Sequence, residues 1–120
     1  VTNDAFIMDH ARVYGNSLVK NSAYVKDYAL VSGNAIITNN SFLSGRAHIT
    51  GDAIVADIAD YDVFRNNWSS GRYFTYTKSN KMWKVGCFYG TGDELIKKAY
   101  ADSETSGKNY EQYVKFVENN

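Results

Sequence analysis

The chain has 120 residues, 44% of them hydrophobic and 22% charged, with no formal net charge and a single cysteine. That length suits one ordinary domain or two very small ones, and the apolar content argues against disorder. No stretch approaches the roughly 18 consecutive apolar residues of a membrane span, and no charged-then-apolar leader opens the chain, so neither anchor nor secretory signal is expected. Val1 in place of an initiator Met leaves room for residues upstream. Cys87 alone can form neither an intramolecular disulfide nor a multi-cysteine zinc site, which fits a reducing compartment.

The charge is unevenly spread. Residues 1–64 carry four Lys and Arg against seven Asp, and residues 65–120 carry nine against six acidic residues. Between Asp62 and Asp93 there is no acid at all, whereas Arg65, Arg72, Lys78, Lys81 and Lys84 all fall there. With the overall balance at zero, general DNA binding is not expected.

The first half repeats every six residues. Ala5, Ala11, Ser17, Ala23, Ala29, Ala35, Ser41, Ala47, Ala53 and Ala59 stand six apart. Two residues after each comes Ile7, Val13, Val19, Val25, Val31, Ile37, Leu43, Ile49, Val55 and, last, Tyr61. Apolar residues at i and i+2 mean two inward side chains on a short extended segment, followed by a corner; a helix would need a period near 3.6. Three hexapeptides then make one triangular coil, and successive coils stack about 4.8 Å apart. The corners test this independently, since a three-sided coil repeats its irregular features every 18 residues. Gly15-Asn16, Gly33-Asn34 and Gly51-Asp52 form one such column. Asn21-Ser22, Asn39-Asn40 and Asp57-Ile58 form a second, and Asp9-His10, Asp27-Tyr28 and Gly45-Arg46 a third. Gly, Asn and Asp tolerate positive φ or bond their own backbone, as corners require.

These repeats resemble the hexapeptide-repeat family, and that resemblance implies a left-handed parallel β-helix of about three coils, from Ala5 to Ile58 within a repeat domain of residues 1–62. Its outward positions are unusual. Phe6, Tyr24 and Phe42 stack on one face, Leu18, Ile36 and Ile54 on another, and Arg12, Leu30 and His48 on the third. Two apolar ladders on a free-standing prism read as an oligomer interface, with a homotrimer favoured by the family resemblance. The plainer alternative is that the C-terminal segment folds back over one of them.

Residues 63–120 read as a small α+β cap. Val63 to Gly71 has the turn composition of a loop. Arg72–Thr77 and Met82–Tyr89, separated by Lys78-Ser79-Asn80-Lys81, predict a β-hairpin over about 72–89. Thr91-Gly92-Asp93-Glu94 has the form of a capping box opening a helix over about 92–104, and Ser106-Gly107 predicts a break before a second helix over about 107–118. The run from Arg72 through Gly86-Cys87-Phe88 and Gly90-Thr91-Gly92-Asp93-Glu94 resembles the C-terminal module of phage and prophage hexapeptide-repeat proteins. That resemblance implies a phage-associated protein of the bacterial host cytoplasm, with a role in anti-defence among the expectations, but no transferable chemistry.

Hexapeptide-repeat proteins are often acyltransferases that use a histidine base, for which only His10 and His48 are available. Neither a long inserted loop nor a further coil builds a channel for an acyl-CoA, so no catalytic residue is expected. Cys87 shares a strand face with Trp83 and Val85 and reads as a buried core thiol rather than a nucleophile. The histidines lie on different columns and the corner aspartates lack ligand-loop spacing, so neither metal nor cofactor is expected. The basic island carries the clearest functional signal. Cations neutralise phosphate, aromatic faces stack bases, and a helix start offers free amides to an anion. Arg72, Tyr76, Lys78, Trp83, Lys84 and Thr91 are therefore the expected ligand-binding residues. The sequence thus points to a non-catalytic homo-oligomer holding an anionic, nucleotide-like ligand between cap and prism. A host-protein-binding inhibitor or adaptor and an acyltransferase using His48 are the alternatives.

Overall fold

The computed structural model describes residues 5–119, so Val1 lies outside the described residues. Each hexapeptide contributes one strand of two residues: β1 (Phe6–Ile7), β2 (Arg12–Val13), β3 (Leu18–Val19), β4 (Tyr24–Val25), β5 (Leu30–Val31), β6 (Ile36–Ile37), β7 (Phe42–Leu43), β8 (His48–Ile49) and β9 (Ile54–Val55). They form three parallel three-stranded sheets, β1-β4-β7, β2-β5-β8 and β3-β6-β9. Each strand pairs with the one three repeats on, so Phe6 lies beside Tyr24 and Tyr24 beside Phe42. The branched residues and alanines of all three sheets share one core, with Val19, Val31, Ile37, Leu43 and Ile49 fully buried.

Every corner turns through one residue in the left-handed region: Asp9, Gly15, Asn21, Asp27, Gly33, Asn39, Gly45 and Gly51, with φ between 58° and 70°. At the next corner the period fails. Asp57 is extended (φ −148°) and caps a 3-10 turn at Ile58–Asp60 instead. Only glycine fits at Gly33, because an added Cβ would lie 2.8 Å from the Gly51 backbone nitrogen in the neighbouring corner.

Four further strands, β10 (Tyr61–Arg65), β11 (Tyr73–Thr77), β12 (Met82–Val85) and β13 (Phe88–Thr91), make an antiparallel sheet in chain order. Two helices follow, α1 (Gly92–Asp102) and α2 (Glu104–Glu118). Phe74, Tyr76, Trp83 and Val85 of the sheet pack against Leu95, Ala99, Tyr110, Val114 and Val117 of the helices. The Trp83 indole N–H donates to Glu118 Oε2 at 2.8 Å, which fastens the end of α2.

The opposite sheet face closes the repeats. Along the ladder, strand N–H groups donate to carbonyls one coil further on, as Phe6 does to Ala23 at 3.0 Å and Leu30 to Ala47 at 2.9 Å. The last coil has no further coil, and its amides find side chains instead. His48 N–H donates to Thr75 Oγ1 at 3.0 Å and Ile54 N–H to Ser79 Oγ at 2.8 Å. Those of Ala56 and Asp57 share Asp60 Oδ2, each at 2.9 Å.

The expectation of a left-handed parallel β-helix capped by a β-hairpin is corrected. The architecture is three parallel sheets of three two-residue strands, one four-stranded antiparallel sheet and two helices. The short strands fit a coiled β arrangement only loosely and no left-handed winding is shown. A six-residue period dictates which side chains point inward and which residues pair; it carries no information on the sense of winding. The loop expected from Val63 begins instead as strand: residues 61–65 pair with β11 from Tyr61↔Thr77 to Arg65↔Tyr73. Met82–Tyr89 is two strands rather than one, because Gly86 turns at φ 56°. Cys87 follows that turn and is exposed, not buried. Ser103 ends α1 and caps α2, so the helices meet there and not at Ser106-Gly107. Gly107 lies inside α2, where any Cβ would run into the Tyr100 ring.

Candidate functional site

The joint between the repeats and the cap forms a cleft of about 430 Å³. Tyr28, Leu30, Arg46 and His48 line it from the repeat side, and Arg72, Tyr73, Thr75, Lys84 and Gly86 from the cap. Sheet register explains the first group. Leu30 and His48 are paired outward residues of β5 and β8, while Tyr28 and Arg46 occupy successive levels of one corner column. The second group comes from the ends of β11 and β12, which reach the same place because Thr75 bonds His48.

Its electrostatics are one-sided. None of its lining residues is acidic, and neither Arg46, Arg72 nor Lys84 forms an ion pair among the described residues. The Arg46 guanidinium lies 4.4 Å from the Tyr28 ring centre and 5.8 Å from that of Tyr73, so both rings already hold a cation. Arg72 lies across Gly86, where a Cβ would come within 2.6 Å of its Nη1. The absence of a side chain at Gly86 is what lets the guanidinium lie flat against the turn. His48 is half-buried, and its imidazole is held below the ordinary 6.5 by burial first and by the Lys84 charge second. Its Nε2 is 3.4 Å from Ser32 Oγ, and among the described residues no carboxylate orients the ring as a general base would need.

The expected ligand-binding residues fare differently. Arg72 and Lys84 meet in this cleft. Tyr76 and Trp83 do not, being 3% and 0% exposed within the cap core, so neither ring has a free face for a base. Lys78 sits at the far end of β11, its N–H donating to the Asp60 carbonyl. Thr91 Oγ1 accepts from the Glu94 N–H, and Glu94 Oε1 accepts from that of Thr91. The start of α1 therefore already holds a carboxylate, and a second one, Glu118, abuts Gly92. An anion is unwelcome there. Tyr28, Arg46 and Tyr73 were not foreseen, although Tyr28 and Arg46 share a corner column that the 18-residue repeat makes visible.

Of the outward ladders, Phe6, Tyr24 and Phe42 stack at centroid spacings of 5.1 and 5.7 Å with 51%, 36% and 36% exposure. Leu18 and Ile36 are half-buried and Ile54 is exposed. The cap's hydrogen bonds through Thr75, Ser79 and Tyr89 go to His48, Ile54 and Thr50 of the last coil. His10 stacks on Tyr28 at 4.9 Å. Among the described residues no cluster of three or more metal-ligating side chains is present, and no helix is long and apolar enough to cross a membrane. No family model, curated protein or solved structure matches the chain.

Proposed function

We propose that the protein is a non-catalytic binding protein that sequesters a small anionic, nucleotide-like ligand in the cleft between its repeats and its cap. The observation that carries this reading is the convergence of Arg46, Arg72 and Lys84 on one concavity without a carboxylate. Like charges held together without counter-ions repel, and a phosphate relieves that repulsion while gaining charge-assisted hydrogen bonds. The cleft has the size of ordinary ligand sites, about 300–1,000 Å³. A phage setting, implied by the resemblance of the repeats and cap, suits removal of a host signal. The exposed Phe6-Tyr24-Phe42 ladder supports assembly into a homo-oligomer.

The test is a thermal-shift panel of linear and cyclic nucleotides and acyl-CoA esters. A ligand that binds only the native state raises the midpoint, and Lys84→Ala and Arg46→Ala each reduce the rise. A shift untouched by both substitutions, or none with any nucleotide, refutes the assignment. Light scattering of the native chain against Tyr24→Glu tests the assembly.

A further inference from the structure

A second cleft, of about 360 Å³, opens on the other side of the cap sheet where four segments converge. They are the loop Asn66–Ser70, the turn at Gly86-Cys87-Phe88, α1 along Leu95, Lys98, Ala99 and Asp102, and α2 at Ser106 and Tyr110. Its floor is apolar, made by Val85, Leu95 and Ala99, all nearly buried, with the half-buried Phe88 beside them. The rim is polar, with Arg72 on one side and Lys98 on the other. Arg72 lines both clefts, standing at the divide made by Gly86.

From this we infer that the cleft between sheet and helices is a separate binding site for a small amphipathic carboxylate, its tail on the apolar floor and its head between Arg72 and Lys98. Charge decides the class of head group. Lys98 already lies 3.6 Å from Asp102, a solvent-exposed pair worth little and easily exchanged for another carboxylate. Asp102 stays on the rim, however, and its charge disfavours the multiple charge of a phosphate. A guanidinium presents a planar fork matched to a carboxylate, and the floor rewards an alkyl or aryl tail with about 25 cal/mol per Å² buried. This site stands independently of the nucleotide reading.

The molecule carries its own reporter. Cys87 lines this cleft, is exposed, and is the only cysteine, so its alkylation by neutral iodoacetamide reads occupancy directly. With the full chain, sodium octanoate and indole-3-carboxylate are the probes, octanamide and inorganic phosphate the controls. Either carboxylate at ten times its Kd slows alkylation by about tenfold, whereas octanamide and phosphate leave it unchanged. Lys98→Gln, on the exposed face of α1, weakens the protection, and Lys84→Ala, which touches only the other cleft, does not. The nucleotide shift shows the reverse dependence, so either reading can fail alone. Equal protection by octanamide, no protection by either carboxylate at millimolar concentration, or protection undiminished in Lys98→Gln overturns the inference. The Cys87→Ser chain must still show a thermal shift with octanoate; loss of that shift would also overturn it.

Discussion

Replacing Thr75 by Val tests whether the cap closes the ladder by hydrogen bonding or by shape alone. Thr75 is 2% exposed, and its Oγ1 accepts the N–H of His48 at 3.0 Å. Val has the same outline, so packing survives while the acceptor is lost and a buried amide is left without a partner. Such an orphan costs about 1–3 kcal/mol. For a domain of this size each kcal/mol moves the thermal midpoint by about 4 °C, so a central loss of ~2 kcal/mol lowers it by about 8 °C. Thr75→Ser keeps the hydroxyl and removes one buried methyl, for about 0.8 kcal/mol. Urea unfolding of the three proteins gives the order wild type, Ser, Val from most to least stable. Amide exchange locates the effect: the His48 N–H exchanges faster in Thr75→Val, whereas that of Leu30, which bonds Ala47 inside the ladder, keeps its relative protection. A Val variant as stable as wild type, or more stable than the Ser variant, refutes the argument.

Gly33→Ala is expected to lose more stability than Gly45→Ala. Both have positive φ, costing about 1–2 kcal/mol for a side chain, but only at Gly33 does the new Cβ strike a neighbouring backbone, while Gly45 faces open space; urea midpoints of the pair decide it. Asn66→Ala removes a buried amide whose Oδ1 accepts from the Trp68 and Ser69 N–H groups and whose Nδ2 donates to the Tyr110 hydroxyl. Partial rehydration of the loop keeps the loss to about 2–3 kcal/mol, read by urea unfolding. His48 sets a pH dependence: its folded-state pKa lies below the ordinary 6.5, so the unfolded chain binds the extra proton first. The contribution is fully present above 6.5 and is lost as pH falls through the window between 6.5 and the lower folded value. His48→Gln flattens that slope in urea titrations, and an anion bound beside Lys84 raises the imidazole pKa, so nucleotide affinity rises on acidification.

What the amino-acid order determined was the repeat. Alternation puts Ala and Val or Ile inward, the spacing pairs residues three hexapeptides apart, and Asp, Asn or Gly marks each left-handed corner; all of these are local demands of backbone geometry, repeated often enough to be read. The capping box of α1 was legible for the same reason, since its four residues satisfy one another. The sense of winding was not, because a period has no hand. Strand β10 escaped because Tyr61–Phe64 are all half-buried, between the last coil and the cap core, and so show no clean two-residue alternation. The basic island pointed to the right part of the chain, but only tertiary structure separated Arg72 and Lys84, which line the cleft, from Tyr76 and Trp83, which the helices bury. Tyr28 and Arg46 join the site from far back in the chain because the last coil's amides need acceptors that the cap supplies, and meeting that need brings a corner of the repeats against the ends of β11 and β12.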